Sequence, residues 1–136
     1  MRVRRIVQIF IVVLSAISIG VLRGQIVSTS SNDPLGRSTP RGTVVGFLTA
    51  AHRGDWATAA QYLESTKGED PAELATELSV VLDQGLPANL DQISDKPEGS
   101  NQPPNRELAG TIATNGGPLT VMLNRTHRGS QQIWLF

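Results

Sequence analysis

The sequence predicts an α+β fold: about three N-terminal helices packed on an antiparallel meander of three or more strands, preceded by a signal or anchor helix. Three observations carry this expectation. Apolar residues recur with the helical period of 3.6 between Thr39 and Leu82, strict alternation takes over after Arg106, and an uncharged apolar run from Ile6 to Leu22 precedes both. At 136 residues, the chain holds one small domain beside that leader, which excludes a two-domain enzyme.

The leader comes first. Ile6 to Leu22 is interrupted only by Gln8, Ser15, Ser18 and Gly20, and nine of its residues are Ile or Val. As a helix it reaches roughly 25 Å, slightly short of a bilayer core of about 30 Å. Arg2, Arg4 and Arg5 before it and small residues near its end fit a secretory signal peptide, although no Ala-x-Ala site is present. Left uncleaved, residues 6–22 are a membrane anchor. In either case the three N-terminal arginines outweigh the single Arg23, so the positive-inside bias keeps the N-terminus in the cytoplasm and sends the rest across. Residues 1–24 are therefore expected to be a signal peptide or membrane anchor and residues 25–38 a polar linker and turn. Residues 39–136 are expected to be a small α+β domain on the periplasmic side of a bacterial inner membrane.

Charge and composition narrow the function classes. The chain balances 12 Lys and Arg against 12 Asp and Glu, but the residues after Arg23 hold 8 basic and 12 acidic side chains, a balance of −4. Nucleic-acid affinity depends on clustered cations, so no nucleic-acid partner is expected. The absence of cysteine removes disulfides, thiolate metal sites and thiol nucleophiles.

Within the domain, Ser38 or Thr39 caps a helix that opens on Pro40, with Val44, Phe47, Leu48 and Ala51 on its buried stripe and Gly54 beyond its end. Asp55 caps a second helix with Trp56, Ala59, Ala60 and Leu63 inward, and the short Gly54-Asp55 connection makes the pair antiparallel. Asp70-Pro71-Ala72-Glu73 resembles a capping box; behind it Leu74, Leu78, Val81 and Leu82 form a third stripe, and Gly85 is expected in the left-handed conformation that ends the helix. Leu86 to Ile93 fits either a short strand or an irregular crossing, and Ser94 to Arg106 is a loop. Glu107 to Arg125 reads as a hairpin turning at Asn115-Gly116-Gly117-Pro118, with Leu108, Gly110 and Ile112 on one face and Leu119, Val121 and Leu123 alternating after the turn. Thr126 to Ser130 is expected to turn into a third strand, Gln132 to Phe136. That strand ends in the aromatics Trp134 and Phe136 with no polar cap behind them. Exposed there, they would be an aggregation liability, so a truncated chain is expected.

Candidate chemistry is sparse. His52 and His127 are isolated, and His52 suits the negative end of its helix better than a metal site. Gly36 to Gly42 superficially resembles a phosphate loop but lacks a following Gly-Lys-Ser/Thr, and reads as a turn feeding a helix cap. Asp91, Asp95 and Glu98 share a loop without matching the twelve-residue calcium pattern, and read as a solvated acidic loop. Asn124-Arg125-Thr126 is a glycosylation sequon only in a eukaryotic secretory context. Arg37 and Arg41 straddle the positive end of the first helix and need compensation. It comes from Asp33 or an acid on the third helix, or, functionally, from lipid phosphate or a neighbouring subunit. No serine with a nearby base and no paired carboxylates emerge, so no enzyme, cofactor or metal is expected.

The run Asp33-Pro34-Leu35-Gly36-Arg37-Ser38-Thr39-Pro40-Arg41-Gly42, continued by Val45-Gly46-Phe47-Leu48 and Gly54-Asp55-Trp56, resembles the N-terminal extension of some bacterial mechanosensitive channels of the small-conductance type. Leu82-Asp83-Gln84-Gly85, Ile93-Ser94-Asp95-Lys96-Pro97-Glu98-Gly99 and Ile133-Trp134-Leu135-Phe136 follow in the same order. The resemblance spans about residues 33–136 and is most specific over 33–42 and 93–99. It implies an export signal, an extracytoplasmic α+β module, and then membrane-spanning helices and a cytoplasmic vestibule beyond these residues. It also implies self-association through channel subunits. The gating residues of that family lie in its pore and tension-sensing helices, so none transfers to a position here.

Two functions are therefore expected in turn. One is an exported module of a mechanosensitive ion channel protein, serving assembly or modulation without a pore. The other is a free-standing secreted binding module with a small-ligand or protein-binding cleft between helices and sheet. A deep pocket lined by Phe47, Trp56 and Leu78 would favour the second, and a filled core the first.

Overall fold

Local sequence chemistry places the helices. The computed structural model describes residues 33–64, 67–85 and 87–136, without the side chains of 87–89; the expected leader and the linker up to residue 32 lie outside them. The Thr39 hydroxyl accepts the Gly42 N–H at 3.0 Å, which starts helix α1 (Pro40–His52) with proline in its first turn. Asp55 accepts from Thr58 N–H at 3.1 Å and starts α2 (Trp56–Ala59), and Asp70 accepts from Ala72 N–H at 2.9 Å and starts α3 (Pro71–Asp83). The apolar stripe of α2 continues through a 3-10 turn (Ala60–Tyr62), whose tighter winding brings Tyr62 into the core beside Leu63. A second 3-10 segment, Pro87–Gln92, occupies the stretch that the sequence leaves between strand and crossing. Then come β1 (Arg106–Thr114), β2 (Gly117–Arg128) and β3 (Gln131–Leu135), antiparallel in the order β1-β2-β3. Among the described residues, three helices followed by a three-stranded antiparallel sheet make the fold α+β, as expected for the domain.

The core lies where α1 meets the sheet and the shorter helices. Val44, Phe47, Ala59, Ala75, Leu82, Leu123 and Trp134 are fully enclosed. Phe47 meets Tyr62 edge-on at 6.4 Å between ring centroids and Phe136 at 5.2 Å. Tyr62 also crosses α1 at Gly46, where a Cβ would collide with its ring.

Four expectations need correction. Gly85 is not left-handed: α3 ends on Gln84 in right-handed geometry, and what limits position 85 is packing, since a Cβ there would stand 3.2 Å from Ile112 Cγ1 and Ile112 would have to give way slightly. In β1 the inward face changes phase. The register shifts between Leu108 and Gly110, so Ala109 is the extra residue of a bulge, Leu108 is turned out at 51% exposure, and Glu107 points inward opposite Leu123. The second turn is shorter than Thr126 to Ser130: β2 runs on to Arg128, which pairs with Gln131 across Gly129-Ser130, with Gly129 at φ 63°. Finally, the aromatics of β3 are not exposed. Trp134 is fully buried and Phe136 packs against the core, while Ile133 and Leu135 are buried as well.

The free edge of β3 is closed by the helical layer. Trp134 N–H donates to Arg37 O at 2.8 Å, Phe136 N–H donates to Tyr62 O at 2.9 Å, Phe136 O accepts from Glu64 N–H at 2.9 Å, and the Thr43 hydroxyl donates to Trp134 O at 3.1 Å. Those bonds satisfy backbone groups that would otherwise template pairing with another chain. Among the described residues, no helix is long and apolar enough to cross a membrane.

Candidate functional site

Two polar anchors and one apolar groove are the features with chemistry to explain. The first anchor is built by the turn before α1, which the structure joins to the domain. Arg37 is 6% exposed and forks onto Asp33, with Nε–H to Oδ2 at 3.0 Å and Nη2–H to Oδ1 at 2.8 Å, while Nη1 donates to Gln61 O at 2.8 Å. The Arg37 N–H adds a fourth bond, to Asp33 Oδ2 at 2.8 Å. The Arg37 guanidinium and backbone hold the Asp33 carboxyl below the usual range. Gly36, at φ 74°, completes the turn, and its carbonyl oxygen lies where a Cβ on Gly42 would stand. The glycine spacing that superficially resembles a phosphate loop is thus a packing contact between this turn and α1.

Arg41 is compensated differently. Its Nε donates to Ile93 O at 3.1 Å and its Nη2 to Asp91 O at 3.2 Å, while its N–H donates to Ser94 O at 3.1 Å. The cation thereby faces the carbonyl end of the second 3-10 segment, the favourable end for positive charge. Both arginines find partners inside the domain, Arg37 on the expected Asp33 and Arg41 on carbonyls that sequence spacing does not reveal.

The second anchor is Glu107. Its carboxylate, 3% exposed as a residue, accepts Ser94 N–H at 3.0 Å on Oε1 and Ser100 N–H at 2.7 Å on Oε2. Burial by itself raises the carboxyl pKa; the Ser100 and Ser94 bonds outweigh it and hold the group below its ordinary value. Trp134 Nε1–H donates to Pro97 O at 3.0 Å, and Gly99 sits against the Trp134 ring at φ 72°, where a Cβ would come within 2.8 Å of Cη2. The loop from Ser94 to Ser100 is clamped between a carboxylate and an indole. A hollow of about 300 Å³ adjoins Glu107, but both carboxylate oxygens are already committed to that loop. A general base needs a pKa near the working pH, and Asp33 and Glu107 are displaced the other way.

The remaining candidates are scattered. His52 Nε2 lies 3.3 Å from Asp83 Oδ1, joining the ends of α1 and α3 at an exposed position. His127 pairs with Gln132 at 3.0 Å on the outer end of β2. Asp91, Asp95 and Glu98 are exposed, and among the described residues no three His, Cys, Asp or Glu side chains gather into a cation site.

The third feature is an open groove of about 460 Å³ between α3 and the β1-β2 hairpin. Leu74, Leu78 and Val81 form one wall at helical spacing, Leu119, Val121 and Met122 the other, with Leu63 and Phe136 also lining it. Glu64, Glu69 and Glu77 stand on its margin, and among the described residues no basic side chain lines it. Of the expected pocket residues, only Leu78 is here; Phe47 is sealed in the core and Trp56 packs against that core from its edge.

Comparison of the chain with protein-family models, curated proteins and solved structures finds no match in any of the three. Sequence reasoning missed Glu107, Tyr62 and the acidic margin. Glu107 had no signal, because the strand period predicts it on the outer face until a bulge reverses it. The margin was half legible, since Glu77 sits between Leu74 and Leu78 on the same helical face.

Proposed function

We propose that residues 33–136 form the exported N-terminal module of a mechanosensitive-channel-type protein, with an assembly or modulatory role on the outer side of a bacterial inner membrane and no pore of its own. The observation that carries this reading is the ordered series of sequence runs from Asp33 to Phe136, behind a basic and then apolar leader. The polar groups support it in kind: the buried charges brace turns and loops and are held away from proton-transfer pKa values. A phosphatase that works only outside the cytosol, fused after Phe136, is expected to be active, whereas a cytosolic reporter at the same point is expected to be silent. The reverse pattern would overturn the topology and the function built on it. The channel part is tested by the DNA after the Phe136 codon. Continuation into several apolar segments of about 20 residues supports it, and a stop followed by an unrelated gene overturns it.

One observation favours a second reading, a free-standing secreted binding module: the apolar groove beside α3. Its apolar walls and few polar groups suit a ligand or peptide.

A further inference from the structure

From the groove between α3 and the β1-β2 hairpin, we propose a docking site for a basic amphipathic helix of a partner protein. The inference deepens the binding-module reading and rests on it. The anchor-bearing face of α3, Leu74 to Val81, covers seven steps, about 10 Å or two helical turns. Two turns of a docked helix supply apolar anchors at i, i+3 or i+4, and i+7, which the facing walls of α3 and β2 receive. The groove is open along one side, and Leu119 in its wall is 45% exposed, so an occupant keeps one face in water. That requirement selects an amphipathic segment over a fully apolar one.

Charge selects its sign. Glu64, Glu69 and Glu77 stand on the margin without a basic counterpart among the described lining residues, none of them on the β2 wall, so Lys or Arg beside the apolar stripe of the occupant meets carboxylates along the part of the margin away from β2. The same carboxylates repel an anionic bilayer surface, which argues against lipid headgroups as the occupant.

The test uses the full chain in zwitterionic nanodiscs, with empty nanodiscs as the blank. The probe is a fluorescent 14-residue Leu/Lys peptide with leucines at helical spacing, beside versions in which every Lys is Gln or Glu. The Lys peptide is expected to bind at least tenfold more tightly than the Glu peptide, and to weaken severalfold as salt rises from about 50 to 500 mM. Glu77→Lys, an exposed change, is expected to cost most of that preference, and Leu119→Ser to weaken all three peptides. Equal binding of the three peptides, lowered by Leu119→Ser, overturns the basic occupant while leaving a binding groove. Absence of any binding, or binding untouched by both substitutions, overturns the docking site while leaving the small-ligand form of the binding-module reading standing. A dimer whose formation Leu119→Ser abolishes, seen by light scattering without peptide, makes the occupant a second copy of the chain and overturns the proposal.

Discussion

Arg37 and Glu107 are two buried charges whose hydrogen bonds brace the turn before α1 and the loop from Ser94 to Ser100. Every nitrogen of the Arg37 guanidinium has a partner, so Arg37→Ala strands the Asp33 carboxylate in the interior. Breaking a buried pair from one side costs about 3–5 kcal/mol. Urea unfolding of Arg37→Ala is expected to show a loss of that order, and Asp33→Ala with Arg37→Ala together to cost less than the two single losses combined. Glu107→Gln leaves one backbone N–H facing an amide NH2, for about 1–3 kcal/mol. The pH dependence has a definite sign. Asp33 and Glu107 both titrate below their ordinary values of 3.8 and 4.5, so on acidification the unfolded chain takes up these protons first. Their contribution is complete above those ordinary values and is lost as pH falls through the folded-state values. The urea midpoint is expected to be level near neutrality and to fall below about pH 5. Glu107→Gln should make that acid limb shallower, and an unchanged limb would count against the carboxylate as its source.

At the scale of elements, the loop from Ser94 to Ser100 and strand β1 depend on each other. Gly99 combines a left-handed φ of 72° with a close approach to the Trp134 ring, so Gly99→Ala meets both backbone strain and a clash. About 2 kcal/mol or more is expected, with a shift of tryptophan emission as the indole is displaced. Gly54→Ala, at φ 69° in open space, is the control and should cost about 1 kcal/mol with no emission change. The helix starts were legible because capping is local: Thr39, Asp55 and Asp70 each bond an amide within three residues. The inward face of β1 was not, because a single extra residue at Ala109 exchanges inside for outside. Gly85 is constrained by packing and not by handedness: a Cβ there would press on Ile112, distant in sequence.

For the whole molecule, the decisive arrangement is the closure of β3. A terminal strand with aromatics on its last turn reads as a sticky edge, yet the turn before α1 and the end of the 3-10 turn supply its outer hydrogen bonds. Hydrogen exchange provides the check: the amides of Trp134 and Phe136 should exchange with the slowest group, and those of Asn115 and Gly116 at the exposed hairpin tip with the fastest. Fast exchange at Trp134 and Phe136 would mean that the edge opens independently of the core. The same closure brings Phe136 beside α3 and makes it part of the groove. The groove is therefore a property of the assembled layers, since its lining comes from α3, β2, Leu63 and Phe136. The starts of the second and third helices, the stripe of α1, the hairpin turning at Asn115-Gly116-Gly117-Pro118 and the acidic balance after Arg23 were determined by sequence alone, because each depends on neighbours within about one turn or on counting charges. The inward face of α3 was not, since Ala75, Ser79 and Leu82 are buried while Leu74, Leu78 and Val81 line the groove. Only the tertiary structure decided that Glu107 lies inside, that Arg41 faces carbonyls, and that Glu64 and Glu69 join Glu77 on a groove whose described lining holds no basic side chain. Those outcomes hang on contacts between residues far apart in the chain, set by a bulge and by the packing of layers that no local period encodes.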